Sequence, residues 1–72
     1  MNRQKLYQEQ FFRNLSILHG PEKALYDTMQ ELHLKKGATY KRMNGDTALT
    51  TAELIHLSKH FDVHVSRFFI EN

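Results

Sequence analysis

The sequence predicts an all-α fold of five short helices, and three observations carry that prediction. Apolar residues recur three or four apart nearly throughout, as one face of a helix requires. No run of Val, Ile or aromatic residues alternates with the period of two that marks a half-buried strand. Gly20, Pro21 and Gly45 fall where helices should stop or start. No repeat or low-complexity tract interrupts this pattern.

The first helix should run from about Arg3 to Leu18. Tyr7, Phe11, Leu15 and Leu18 are four, four and three apart and make one stripe, which Phe12 and Ile17 widen. "HGPE" then stops it. The second helix should run from Pro21 to about His33, with Glu22 placing negative charge at its N-terminus, where the helix dipole favours it. Its buried stripe is Leu25, Met29 and Leu32, with Tyr26 on the flank. "HLKKG" is a short link from which Leu34 plugs the core. The third helix is short, from about Gly37 to Asn44, and Gly45 stands where a left-handed C-terminal residue is wanted. "NG" also suits a hairpin turn, but its flanks "KRM" and "DTAL" make poor strands.

The fourth helix begins at "TTAE". Thr50 and Glu53 have the capping-box spacing, in which hydroxyl and carboxylate each cover an orphan backbone amide. Leu54, Leu57 and Phe61, joined by Ile55, form its core face, and it ends near His60 or Phe61. "DVHV" turns the chain, and "SRFFIEN" reads as a fifth helical turn with Phe68 and Phe69 inward. One domain should span 1–72: an N-terminal helix (1–19), two helices joined by a tight turn (21–45) and the C-terminal helices (50–72). The ending "FFIEN" is unusual for a free tail and is compatible with a longer parent protein.

Seventy-two residues build a small core without a deep cleft and its own lid, so no enzyme is expected. With no cysteine, disulfides and thiolate metal sites are excluded. "MNRQKLYQEQFF" is neither a secretory signal nor a membrane span, so a soluble cytoplasmic protein is expected. The formal charge of +2 says little about a nucleic-acid partner; its distribution says more. "KKGATYKRMNGD", Lys35 to Asp46, holds four of the ten Lys and Arg residues and no acid before its last position. On a helix with Tyr40 and Met43 inward, Ala38, Thr39, Lys41 and Arg42 lie outside, and Lys35 and Lys36 occupy the turn before it. Composition alone reads this segment as a solvated surface; the tight turn between two helices gives it another use.

Five histidines raise the question of a metal. His56 and His60 are four apart on the fourth helix, off its core face, but two ligands do not make a zinc site. His64 lies beyond the helix end and Asp62 is the one acid near in sequence, so surface histidines are expected, with no metal and no cofactor. Glu22, Asp27 and Glu31 read as solvated charges. Ser16, Ser58 and Ser66 lack a nucleophile's context, and no Gly-rich phosphate loop occurs, so no small-molecule substrate is expected. The aromatic excess of the first helix serves the core first and a dimer interface second. Its polar face lacks the basic bias of a membrane-surface helix.

From Leu25 to Phe69, and best in "ATYKRMNGDTALTTAELIHLSKHFDVHVSRFF", the chain resembles the lambda-repressor-like, XRE-type helix-turn-helix family. Gly45 matches the glycine that ends the recognition helix, and "FDVHVSRFF" matches the closing corner. Two features depart from the family. "YDTMQEL" stands where "T-x-x-E-L-A" is usual, and the turn glycine is displaced, with Leu34-Lys35-Lys36 preceding Gly37. The resemblance implies sequence-specific binding of double-stranded DNA by a bacterial transcriptional regulator, with the third helix in the major groove and a homodimer as the working unit. It further implies base contacts from Ala38, Thr39 and Arg42, with Arg42 forking onto guanine, and phosphate contacts from Lys35, Lys36 and Lys41. The alternative is a helical protein–protein interaction module that has lost DNA binding.

Overall fold

The computed structural model describes residues 2–69, with the side chains of Arg67 and Phe69 left outside the description. The described chain is all helical: α1 Arg3–His19, α2 Pro21–Leu32, α3 Lys36–Met43, α4 Thr51–His60 and a terminal 3-10 helix, η1, Val65–Phe69. The fifth expected helix is thus a 3-10 turn and not an α-helix. The expected inward packing of Phe69, and any helical turn over 70–72, fall outside the described residues.

Local signals account for most boundaries. The Asn2 side chain accepts the Lys5 N–H at 3.2 Å and caps α1. Pro21 opens α2 with Glu22 in its first turn. At α4 the capping box is complete: Glu53 N–H donates to Thr50 Oγ1 at 3.1 Å, and Thr50 N–H donates to Glu53 Oε1 at 3.0 Å. The α2–α3 turn solves its geometry without glycine. His33 takes the left-handed conformation that ends α2 (φ 53°, ψ 46°), and Leu34 N–H returns to Met29 O at 2.9 Å. Gly37 is an ordinary residue of the first turn of α3, and His33 supplies the left-handed conformation of the α2–α3 turn.

The core is Phe11, Phe12, Leu15, Ala24, Leu54, Leu57, Phe61 and Phe68. Phe11 contacts Phe12 edge-on at 5.4 Å, and Phe68 reaches back from η1 to Phe11 at 5.6 Å and Tyr7 at 6.2 Å. The aromatic side chains of α1 are therefore used by the core. Two expected stripes are rotated. On α1, Leu18 and Ile17 are exposed, and the buried face is Gln8, Phe11, Phe12 and Leu15. On α2, Ala24, Leu25 and Thr28 are buried while Met29 and Leu32 are only half-buried. Small residues win there because α2 lies against both α1 and α4. Thr28 tolerates burial by donating its hydroxyl to Ala24 O at 2.6 Å. Ile55 is also largely exposed, leaving Leu54, Leu57, Ser58 and Phe61 as the inner face of α4 and its end. Among the described residues no helix is long and apolar enough to cross a membrane.

Candidate nucleic-acid interface

The inward face of α3 is built on Thr39, one residue away from where the sequence places it. Thr39 is fully buried and donates its hydroxyl to Lys35 O at 3.0 Å. Tyr40, expected inward, is 44 % exposed. With eight residues and few apolar ones, α3 carries no stripe strong enough to set its rotation, and a shift of one residue turns the face by about 100°. This rotation turns inward two of the residues expected on the outer face. Thr39 has no route to solvent. Arg42 is drawn across the inner side of α3, where its Nη2 lies 3.5 Å from Glu53 Oε2 and its Nη1 donates to Ala38 O at 3.4 Å. Its side chain is 17 % exposed and its Nε is buried without a partner among the described residues. Ala38 is half-buried. The outer face of α3 is instead Lys36, Gly37, Tyr40, Lys41 and Asn44, with Lys35 beside it in the turn.

Charge on this face is one-sided. Lys35, Lys36 and Lys41 are exposed and carry no ion pair among the described residues. The nearby acids are each engaged. Lys5 of α1 holds Asp46 at 2.9 Å and donates to Asn44 O at 2.8 Å, capping the C-terminal carbonyl end of α3. The hydrogen bond to Asp46, reinforced by the charges of Asp46 and Glu9, raises the Lys5 ammonium above its ordinary 10.5. Glu53 is held by Arg42 and by the α4 cap.

The loop after α3 is fastened by a residue the sequence reading missed. Gln8 of α1 is fully buried. Its Nε2 donates to Arg42 O at 2.8 Å and Thr47 O at 2.6 Å, while its Oε1 accepts from Leu49 N–H at 3.0 Å and Gln4 Nε2 at 2.6 Å. Donors face carbonyls and the acceptor faces N–H groups, so this amide orientation is unambiguous. Gly45 completes the attachment. It has φ +78°, and a Cβ there would lie 2.7–2.9 Å from atoms of Lys5, so only glycine lets the loop approach α1 this closely.

On the opposite side, α2 and α4 are tied by histidines. Glu31 Oε1 accepts from His56 Nε2 at 2.8 Å, and Asp27 Oδ2 accepts from His60 Nε2 at 3.0 Å. Asp27 and Glu31 are thus partners of the histidines, correcting the expectation of solvated charges. Spacing of four on each helix sets the two pairs in register. The Lys23 ammonium, 2.8 Å from Asp27, and then His60 hold the Asp27 carboxyl below its ordinary 3.8. A lowered carboxyl contributes stability above the unfolded-state pKa and loses it as pH falls through the folded one. Asp27→Asn should therefore cost about 0.5–1 kcal/mol at pH 7. The gap to wild type should close as pH drops below 3.8, read from urea midpoints; a gap that stays constant down to the acid limit would show that Asp27 acts only by packing. Among the described residues no three His, Asp or Glu side chains are arranged to hold a metal ion.

Comparison with protein-family models, curated proteins and solved structures returned no match. The resemblance to lambda-repressor-like domains rests on the residues of this chain alone.

Proposed function

We propose that this chain is a DNA-binding domain of helix-turn-helix type, with α3 entering the major groove of double-stranded DNA and α2 crossing the backbone. The particular role is sequence-specific transcriptional regulation in a bacterial, cytoplasmic setting, working as a homodimer. The observation that carries this reading is the outer face of α3 and its preceding turn. Three lysines with no ion pair among the described residues lie there, and every acid next to them is engaged elsewhere. Lys35, Lys36 and Lys41 are assigned to phosphates. Base reading passes from Thr39 and Arg42 to the residues that rotation has exposed: Tyr40 and, through close backbone approach, Gly37. Half-buried Ala38 remains at the edge of this face, where its methyl can meet a thymine methyl. Arg42 becomes a positioning residue that joins α3 to the capping box of α4.

A second reading, a protein-interaction module, is favoured by one observation: Ile17 and Leu18 stand 74 % and 62 % exposed at the end of α1. Fluorescence anisotropy of a labelled random-sequence duplex across several salt concentrations separates the two. DNA binding predicts log affinity falling linearly with log salt, with a slope of about −0.9 per phosphate contact. Folded protein that leaves the duplex free even at low salt would favour the interaction module.

A further inference from the structure

Between α1 and α3 lies an open groove of about 230 Å3, with Arg13, Glu9, Tyr40 and Asn44 among its lining and Phe12 and Met43 at its apolar side. Arg13 is exposed and has no ion-pair partner among the described residues. It stands on a different helix from the basic segment, yet the fold brings it beside the outer face of α3. Tyr40 and Asn44 belong both to that face and to this groove.

We propose that this groove is a second backbone-binding track, in which Arg13 grips a DNA phosphate flanking the base pairs under α3. The inference rests on the DNA-binding reading above and extends it to α1. The chemistry of the lining matches a phosphodiester. A guanidinium presents a planar fork of donors to phosphate oxygens. The Tyr40 hydroxyl and Asn44 amide supply neutral donors at the same rim. The apolar atoms of half-buried Met43 offer a surface to the sugar. Glu9, on the same groove, is the one acid there, and Lys5 Nζ stands 3.9 Å from its carboxylate. Glu9 offsets Arg13 within the groove, and the cationic bias comes from Lys36 and Lys41 on the adjoining face of α3. Arg13 extends that face, so the continuity of the groove with α3 selects the same duplex that α3 meets.

The full chain is tested by anisotropy with the random-sequence duplex, beside Arg13→Ala, Arg13→Lys and Lys59→Ala. Lys59 is an exposed cation on α4 that lines a different groove with Asp62. Arg13→Ala should keep the wild-type circular dichroism and thermal midpoint. It should lower the salt slope by about 0.9 and weaken binding roughly eightfold at 0.1 M salt, the effect of one lost phosphate contact. Arg13→Lys should keep the slope, and Lys59→Ala should match wild type. An Arg13→Ala slope equal to wild type overturns the proposal, as does a Lys59→Ala loss of the same size. A wild type that binds a glutamate-rich peptide as tightly as duplex, with both weakened by Arg13→Ala, overturns it in favour of an acidic protein partner. Failure of the wild type itself to bind duplex defeats the parent reading, and it is visible before any variant is compared.

Discussion

Gln8→Ala lowers the stability of the domain by about 3–5 kcal/mol, the largest effect expected of any single polar truncation here. The substitution strands Thr47 O and Leu49 N–H inside the protein, since Gln8 is their hydrogen-bond partner. Arg42 O keeps the Gly45 N–H at 3.0 Å. Each buried backbone group left unmade costs about 1–3 kcal/mol, and the vacated side-chain volume adds to this. In a domain of this size the thermal midpoint should fall by roughly 15–30 °C. Urea unfolding followed by circular dichroism measures it, and a loss below about 1 kcal/mol would show that water replaces the amide without penalty. Gln8→Glu gives a sharper form of the test. At neutral pH the new carboxylate faces two carbonyl oxygens that need donors, so its folded pKa is raised. A raised carboxyl loses stability as pH rises through its titration, so this variant should be more stable in mild acid than at pH 7. Because Gln8 also holds the loop that follows α3, its loss should weaken DNA binding beyond what charge explains.

If the DNA-binding proposal holds, Lys36→Ala/Lys41→Ala should leave the fold intact and remove about 60-fold of duplex affinity at 0.1 M salt. Both side chains are exposed and carry no ion pair among the described residues, so truncation strands nothing inside the protein. Each phosphate contact contributes about 0.9 to the salt slope, and two together contribute about 1.8 decades of affinity at that concentration. The slope itself should fall by the same amount. If affinity drops while the slope stays at its wild-type value, these lysines read bases or shape and do not neutralise phosphates. Variants at Thr39 and Arg42 should behave differently. Their side chains face inward, so substitution should appear in the unfolding midpoint as well as in binding.

The all-helical class and the helix limits were legible because they are local properties. Pro21, the Thr50–Glu53 box and Gly45 act on backbone groups within a few residues of themselves, and they place their ends to within a residue or so. The inner face of α4 was legible for the same reason, since Leu54, Leu57 and Phe61 repeat strongly enough to define it. The basic segment, too, is a sequence fact. Which of its residues face outward is not. A helix of two turns with one aromatic and one methionine offers little apolar contrast. Its rotation was decided by contact with α1 and α2, which buries Thr39, its hydroxyl donating to Lys35 O, and leaves Tyr40 outside. Gln8 could be recognised as a core residue only once the 45–49 loop was laid against α1. Buried polar groups are stable only beside partners, and these partners are 34 to 41 residues away in the chain. The histidine–carboxylate pairs across α2 and α4, and the placement of Arg13 beside Tyr40, have the same origin. The sequence by itself determined where helices begin and end and how much positive charge one segment carries. The tertiary structure decided which side chains that charge is presented with, because helix rotation is set by the fit between neighbouring surfaces, which no single helix encodes.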